Sequence, residues 1–528
     1  MSGSVPVATA LADIYPPAAL PAESARWERL LAGFRDAYGR PASFVARSPG
    51  RVNIIGEHID YSLYSVLPMA ITADALLAVA ARPAAADAAA FTLRLANVQG
   101  SRFEPSEFRV PAQGDVDIDA TRFDWTNYFK SGLRGALGLL RRKRGPSWTP
   151  CDMDVLMDGN VPVGGGLSSS AAFVSASALA VLVANGVAPV DKKELTELAI
   201  VSERAVGVNS GGMDQAASVF SEQGSALFVS FSPGLAARPV RFPPTRPELC
   251  FVVAQSFVTS NKQVTGPIHY NLRVVEVSLA AAYLNAVLNP PGTELPLDAG
   301  PLGTSLQGFH DAFFLLRAGS DYAAAKTLSK EEELEKLVAL TEETLTQEQG
   351  YTKEEVAKVL GLSTPELEKR FLSSFPVRAE RFKLRQRALH VFTEALRVLR
   401  FLTLLERPLH TGATDTSDFN RRLGALMNET QDSCRELYEC SCPEIDRICR
   451  VAREAGAYGS RLTGAGWGGC SVHLVPADRV ADVKEALERD YFAGKELTRE
   501  QRDGAVVVSR PAGGSAVYHV EGQGVRER

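Results

Sequence analysis

Four ionisable side chains lie close together in residues 51–61, RVNIIGEHIDY. Arg51 opens this stretch, and Glu57, His58 and Asp60 follow the apolar residues of a predicted buried strand. Carboxylates and an imidazole can orient a ligand that carries several hydroxyl groups, because each hydroxyl both donates and accepts hydrogen bonds. A solvated loop at the end of a strand would have the same composition. The segment therefore has two interpretations, a charged surface loop or the lining of a polar pocket.

A second stretch, GNVPVGGGLSSSAAFVSASALAVLVANG at 159–186, joins a glycine turn to a predicted helix. The glycines at 164–166 let the backbone approach a ligand closely. The serines at 168–170 open the helix, whose unpaired N–H groups and positive dipole end suit a polyphosphate. Their hydroxyls can cap the helix, bind phosphate oxygens or reach a magnesium ion. The alternative is a tight turn with a serine cap and no ligand.

Two further carboxylates occur in SERAVGVNSGGMDQ at 202–215. Glu203 is near the end of a predicted helix, where a negative charge is unfavourable unless it binds a metal ion or faces solvent. Asp214 follows two glycines and is either a catalytic base or the cap of the next helix. A phosphate loop, a magnesium carboxylate, a base and a polar cluster together indicate a small-molecule kinase. The sequence has no GxxxxGK[ST] motif and no HRD followed by DFG, which excludes two kinase classes.

The elements that must position these residues alternate between helices and strands. At 528 residues the chain is too long for one compact core, so we expect two large domains in an α+β arrangement with a cleft between them. The periodicity predicts a helix over 22–37, a strand over 43–55 and antiparallel strands within 66–110. Residues 345–372 predict two short helices around Gly361, with an N-cap at Ser363 or Thr364.

Composition excludes several other classes of function. Apolar residues make up 45% and charged residues 23% of the chain, and the net charge is −5, so we expect neither nucleic-acid nor membrane binding. The uncharged stretch before residue 191 contains too short an apolar run to span a bilayer, and predicts a buried helix. The cysteines at 434, 440, 442 and 449 are interpreted as buried free thiols rather than metal ligands. No secretory signal is evident, so we expect a cytoplasmic protein.

Three motifs carry a resemblance to a known family. GRVNIIGEHIDY at 50–61 resembles the galactokinase signature, VPVGGGLSSSAA at 161–172 resembles the phosphate loop of the GHMP small-molecule kinases, and LTGAGWGGC at 462–470 resembles their third, glycine-rich motif. YNLRVVE at 270–276, the helical insertion and the length are most similar to the fungal type. The resemblance implies a two-domain GHMP kinase fold with the active site in the cleft.

We expect residues 1–240 to form the N-terminal domain, with the sugar signature and the phosphate loop. Residues 241–528 would form a largely helical C-terminal domain with a sheet. The glycines of the third motif have two interpretations, a wall against nucleotide and sugar or tight backbone packing between the domains.

The resemblance also implies a role for each site residue. The implied catalytic residues are Asp214, as the base, and Arg51, near the transferring phosphoryl group and the C1 hydroxyl. The implied sugar-binding residues are Glu57, His58, Asp60, Gly211 and Tyr270, together with Arg51 and Asp214. The implied ATP-binding residues are Gly164, Gly166, Ser168, Ser169, Asn261 and Lys262. Glu203 and a loop serine, Ser170, would hold Mg²⁺.

The implied activity is ATP-dependent phosphorylation of galactose at the C1 hydroxyl, a step of galactose catabolism, by a monomer. Two alternatives stay open. An N-acetylgalactosamine kinase has a similar signature, including YSVLPMA at 64–70. Some fungal relatives are instead galactose- and ATP-dependent transcriptional sensors that bind a repressor protein. The intact GLSSSAA at 166–172 favours catalysis over that second role, since a known sensor lacks two of these residues.

Overall fold

The structure is a computed structural model. It describes residues 3–84, 88–119, 124–145, 147–162, 164–204, 211–258, 265–318, 328–408, 414–520 and 526. Its strands are β1 (Val7–Ala8), β2 (Phe44–Ile55), β3 (Leu67–Arg82), β4 (Ala90–Asn97), β5 (Ser106–Pro111), β6 (Asp152–Gly159), β7 (Ser225–Ser230), β8 (Ala236–Arg241), β9 (Leu249–Gln255), β10 (Gly459–Thr463), β11 (Cys470–Pro476), β12 (Val506–Ser509) and β13 (Ala516–His519).

The helices fall into two groups along the chain. Those of the first half are α1 (Leu20–Tyr38), α2 (Thr126–Arg144), α3 (Ser169–Ala184), α4 (Lys192–Arg204) and α5 (Met213–Phe220). Those of the second half are α6 (Tyr270–Leu288), α7 (Leu306–Ala318), α8 (Lys330–Thr344), α9 (Lys353–Leu360), α10 (Thr364–Leu367), α11 (Leu384–Glu406), α12 (Ser417–Glu436), α13 (Pro443–Glu454), α14 (Val480–Leu487) and α15 (Arg499–Asp503).

A seven-stranded sheet in the order β1-β13-β2-β3-β6-β4-β5 forms the centre of the first half. Side chains of β3 alternate between its two faces, as the period of a strand requires. Leu76 and Ala78 pack with α1, whereas Leu77 and Val79 belong to the larger core that contains α2 and α3. The last strand, β13, pairs antiparallel with β2, so the end of the chain returns to this sheet.

The second half combines a smaller sheet with a bundle of helices. Strands β10, β11, β9 and β12 form an antiparallel sheet, and α13 and α14 cover one face of it. The long helix α11 packs against α6, α8 and α12 and also contacts β2. This last contact brings the second half of the chain against the strand that carries Arg51.

Most predicted elements are confirmed. The helix predicted over 22–37 is α1, the strand predicted over 43–55 is β2, and the uncharged stretch forms the buried helix α3. Gly361 ends α9 with a φ of 67°, and the Ser363 side chain caps α10 by accepting the N–H of Glu366, so Ser363 and not Thr364 is the N-cap. The structure agrees with an α+β fold.

One helix among the described residues, Tyr270–Leu288, is long and apolar enough to cross a membrane by length and composition alone. In the fold, however, 72% of the most apolar 18-residue stretch of this helix is buried, as in a core helix.

The division of the chain into two domains at residue 240 stays a prediction.

Candidate active site

Arg51 joins the phosphate loop to Asp214. It extends from β2, where a register shift interrupts the pairing with β3, and it is almost fully buried. Its Nε and Nη2 lie 2.7 and 2.6 Å from Oδ1 of Asp214, and its Nη1 donates to the Gly166 carbonyl at 2.6 Å. The N-cap residue of α5 is Gly212, so the interpretation of Asp214 as a helix cap is wrong. A permanent cation therefore connects the predicted base with the predicted phosphate loop.

The phosphate loop has the backbone that its glycines predict. Gly164 and Gly166 have φ angles of 73° and 72°, and Ser168 adopts the left-handed region at φ 59°, which is uncommon for a residue with a side chain. The Ser168 hydroxyl does not cap α3, and its Oγ is buried without a hydrogen-bond partner among the described residues. A buried hydroxyl without a partner is costly, and an oxygen of a bound phosphate group would satisfy it. Ser169 and Ser170 form the first turn of α3.

Asp60 is buried and lies close enough to Asp214 to be affected by its charge. A Cβ atom on Gly211 would lie 2.6 Å from Oδ2 of Asp60, so only glycine fits here. The Met213 N–H approaches the same oxygen at 3.4 Å. Burial, followed by the negative charge of Asp214, raises the pKa of Asp60 to about 6. The structure thus brings together two carboxylates that are 154 positions apart in the sequence.

Tyr270, the first residue of α6, packs beside His58 and Tyr61. Its ring centroid lies 5.6 Å from those of His58 and Tyr61. Burial raises its pKa well above the ordinary value, and the charges of Asp60 and Asp214 add to this effect. The phenol is therefore neutral near pH 7 and able to donate a hydrogen bond.

Glu57 and His58 form hydrogen bonds with the third motif and with Arg461, the residue before it. Oε2 of Glu57 accepts hydrogen bonds from Arg461 at 2.5 Å and from the Gly464 N–H at 3.0 Å. Nε2 of His58 donates to the Ala465 carbonyl at 3.0 Å, and its Nδ1 lies 2.9 Å from the Tyr61 hydroxyl. Both nitrogens of His58 therefore have protein partners in this structure. The surface-loop interpretation of the first segment is wrong, because these side chains are buried.

The glycines of the third motif pack against the phosphate loop. A Cβ on Gly166 would lie 2.7 Å from the Thr463 carbonyl, and one on Gly469 would lie 3.0 Å from the Gly165 carbonyl. Tight backbone packing between the two halves holds for Gly464 and Gly469, which lie against Gly165 and Gly166. The other interpretation, a wall against nucleotide and sugar, stays a prediction. Arg461, which precedes the motif, was not identified from the sequence. Its only signal is that it is a charged residue buried in a strand, and burial can be recognised only when the fold is known.

Glu203 is buried at the end of α4, so the interpretation that it faces solvent is wrong. The side-chain amide of Gln215 donates to its Oε2. The described residues include no cluster of three or more His, Cys, Asp and Glu side chains that could hold a metal ion by themselves. Mg²⁺ is usually bound by one or two carboxylates, with phosphate oxygens and water completing the octahedron. Glu203 supplies one buried carboxylate, which fits that donor set when phosphate oxygens and water supply the other ligands.

Asn261 and Lys262, predicted to approach the nucleotide, lie outside the described residues.

The cysteines at 434, 440, 442 and 449 are free thiols. Cys434, Cys440 and Cys449 are buried, and Cys442 is half-buried. His390 and Glu394 of α11 were also not identified from the sequence. Both form hydrogen bonds with the backbone of the segment 56–57.

Comparison with known proteins gives three family matches and many relatives. The galactokinase galactose-binding signature matches residues 32–81, and the N-terminal and C-terminal domains of GHMP kinases match residues 127–222 and 417–494. Galactokinase of Saccharomyces cerevisiae is 43% identical over 507 residues, 92% of this chain and 93% of that protein. Galactokinase of Schizosaccharomyces pombe is 39% identical over 508 residues, 94% of this chain and 96% of that protein.

A solved structure shares the fold. The crystal structure of Lactococcus lactis galactokinase complexed with galactose matches with a TM-score of 0.61 and 22% identity, covering 93% of this chain and 99% of that chain. The sequence similarity extends over nearly the whole length of the fungal relatives. The chain therefore belongs to the galactokinase family of the GHMP kinases.

Proposed function

We propose that this protein transfers the γ-phosphoryl group of ATP to the C1 hydroxyl of galactose, giving galactose 1-phosphate and ADP. The observation that supports this most directly is the position of Arg51, which bonds Asp214 through one edge of its guanidinium and the phosphate-loop carbonyl of Gly166 through Nη1. A hydroxyl beside Asp214 and a phosphoryl group at the loop would thus meet at Arg51. The names of the fungal relatives support the choice of galactose.

In the proposed reaction, the C1 oxygen attacks the γ-phosphorus while Asp214 accepts the C1 proton. The new O–P bond forms as the bond between the γ-phosphorus and the bridging oxygen breaks, and ADP leaves with that electron pair. Arg51 stabilises the negative charge that gathers between the two oxygens. Its position also keeps the carboxylate of Asp214 turned towards the reacting hydroxyl.

Asp60, Gly211 and Tyr270 are proposed to bind the sugar. The charge of Asp214 acts on both Asp60 and Tyr270, and Gly211 packs against Asp60, so these residues lie close together. Glu57 and His58 are proposed to complete the sugar site. Since both nitrogens of His58 have protein partners, its proposed part is to shape the pocket through Tyr61 and Ala465. A sugar epimer that left Asp60 without a partner would bind weakly, because a buried charge without a hydrogen bond is costly.

Gly164, Gly166, Ser168 and Ser169 are proposed to bind the ATP phosphates, with Asn261 and Lys262 near the nucleotide. Glu203 and Ser170 are proposed to hold Mg²⁺. The ion would neutralise phosphate charge and orient the γ-phosphoryl group. The Oγ of Ser168 is buried and has no hydrogen-bond partner in the described part of the chain, which supports a ligand at this helix start.

An ADP-release assay with the purified protein tests the proposal. It compares galactose, N-acetylgalactosamine, glucose and mevalonate with ATP and Mg²⁺. We expect turnover with galactose, loss of turnover with EDTA, and recovery when Mg²⁺ is restored in excess. A preference for N-acetylgalactosamine would refute the proposed substrate. No turnover with any acceptor, together with galactose-dependent binding to a repressor protein, would replace catalysis by a sensor function.

A matched pair of variants ties turnover to the site. Asp214→Asn removes the proposed base, whereas Asp482→Asn makes the same change in α14, where Asp482 forms a half-exposed ion pair with Arg479. We expect the first variant to lose turnover and the second to keep it. Equal activity in the two variants would refute the assignment of Asp214 to the active site.

A further inference from the structure

Helix α11 carries two buried polar residues one turn apart, His390 and Glu394. Both side chains are fully buried. Glu394 contacts the backbone of residues 56 and 57, at the start of the sugar-binding loop, and His390 contacts the backbone of residue 57. We call residues 56–60 the sugar-binding loop. Neither helix residue contacts the phosphate loop through a hydrogen bond among the described residues.

Glu394 accepts the two N–H groups that open the loop. Its Oε1 lies 2.7 Å from the Gly56 nitrogen and 3.1 Å from the Glu57 nitrogen. Its Oε2 accepts from Nε of Arg397 and from the Thr430 hydroxyl, each at 2.8 Å. Hydrogen bonds to an ionised acceptor are roughly twice as strong as neutral ones. One carboxylate therefore holds the start of the loop and is itself held by α11 and α12.

His390 holds the carbonyl of the same peptide segment. Its Nε2 lies 3.0 Å from the Glu57 carbonyl, and because a carbonyl only accepts, this nitrogen carries the proton. Burial lowers the pKa of His390 to about 3, so the ring is neutral, and its Nδ1 accepts from the Ser433 hydroxyl at 2.9 Å. The N–H and the C=O of Glu57 are thus both bound by α11.

The loop needs such support because its backbone is not regular. Gly56 has a φ of 105°, and His58 adopts the left-handed region at φ 61°. A residue with a side chain in that region persists only when the surrounding structure holds it there. The hydrogen bonds from α11 act directly before His58, and they set the direction in which Glu57 and Asp60 leave the backbone.

We propose that Glu394 and His390 are positioning residues for sugar binding: they hold the loop that places Glu57, His58 and Asp60, and they have no part in binding ATP. This inference rests on the proposed function for the identity of the sugar. It predicts a selective defect, in which the galactose affinity falls while the ATP affinity does not.

The first test is Glu394→Gln. The carboxylate has four donors around it, and an amide supplies one oxygen and an NH₂ group that must face a donor. We expect KM for galactose to rise on the order of tenfold to a hundredfold, as for loss of hydrogen bonds to a charged group. KM for ATP should stay within about twofold of the wild-type value.

His390 allows a rescue experiment. Glutamine can place an N–H near the position of Nε2, whereas alanine cannot. We expect His390→Ala to raise KM for galactose on the order of tenfold, which is the loss of one hydrogen bond, and His390→Gln to restore most of the affinity. Equal defects in the two variants would show that the ring fills space and does not position the loop.

Two control variants lie on the same helix. Glu406→Gln makes the identical change at a half-exposed residue that pairs with Arg238, and we expect no change in either KM. Phe401→Leu removes buried volume about two helical turns from Glu394 and should lower the melting temperature without raising KM for galactose. If Phe401→Leu reproduces the galactose defect at a similar loss of thermal stability, the positioning role is refuted.

Hydrogen exchange separates this inference from the proposed function. In the intact protein without sugar, Glu394→Gln should speed amide exchange in a peptide that covers residues 53–60, and Phe401→Leu should not. Wild-type turnover with galactose tests the proposed function. The exchange result tests whether α11 supports the loop, and it does not depend on which sugar the protein phosphorylates. Unchanged exchange in Glu394→Gln, or an equal rise in KM for ATP and galactose, would overturn the inference.

Discussion

Replacing Asp60 by asparagine should stabilise the ligand-free protein at neutral pH while it weakens galactose binding. Asp60 is 6% exposed, and burial and the nearby charge of Asp214 raise its pKa from 3.8 to about 6. Above pH 6 the carboxylate is ionised in the folded and the unfolded chain, so the folded state bears the cost of the buried charge. Below pH 3.8 it is protonated in both states, and the cost vanishes.

The magnitude follows from the two pKa values. Each pKa unit corresponds to about 1.4 kcal/mol, so the buried charge costs about 3 kcal/mol at pH 7.5. At pH 5 the folded protein is mostly protonated at Asp60, and the cost falls to about 1.5 kcal/mol by the same relation. Asparagine has a similar shape without the charge. Asp60→Asn should therefore raise the free energy of unfolding by about these amounts, more at pH 7.5 than at pH 5.

Urea unfolding of the wild type and Asp60→Asn at pH 5 and pH 7.5 measures both values, and galactose titration measures the loss of binding. Asp482→Asn, at a half-exposed position, is the control and should change stability by less than about 0.5 kcal/mol. A less stable Asp60→Asn at pH 7.5, or a stability gain that is the same at both pH values, would refute the reasoning. An unchanged KM for galactose would show that Asp60 does not bind the sugar.

Three other substitutions test the rest of the site. Asp214→Ala should abolish detectable phosphoryl transfer and keep the circular dichroism spectrum of the wild type; near-normal turnover would disprove its assignment as the base. Arg51→Ala should lower kcat severely, since the guanidinium acts on the transition state, and an effect confined to KM would mean that it only binds substrate. Arg461→Met leaves the Glu57 carboxylate buried without its cation, so the free energy of unfolding should fall by about 3–5 kcal/mol in urea titrations. Adding Glu57→Gln should recover part of that loss, and a loss below about 1 kcal/mol would contradict the buried pair.

The local elements were predictable because their signals lie in consecutive residues. The helical period of 22–37, the apolar run of β2 and the glycine at 361 each specify backbone conformation over a few positions, and all three are confirmed. The phosphate loop was predictable for the same reason. Glycines followed by serines and a small-residue helix describe a turn and a helix start without reference to the rest of the chain.

The partners of the buried charges were not predictable. Spacing placed Glu57, His58 and Asp60 in one segment but did not show that Glu57 pairs with Arg461, or that both nitrogens of His58 have protein partners. The alternative roles of Asp214 and Glu203 also stayed open at that level. The structure excludes only one role of each: Asp214 is not the N-cap of α5, and Glu203 does not face solvent.

The sequence by itself determined the chemical groups of the site, their order along the chain and the α+β class, because motifs and periodicity are local properties. Only the tertiary structure decided which atoms face each other. Glu394 lies 338 positions from Gly56, yet its carboxylate accepts the Gly56 N–H at 2.7 Å. Such a contact depends on the packing of α11 against β2. Many residues of the core contribute to the free energy of that packing, so no single segment of the sequence specifies it.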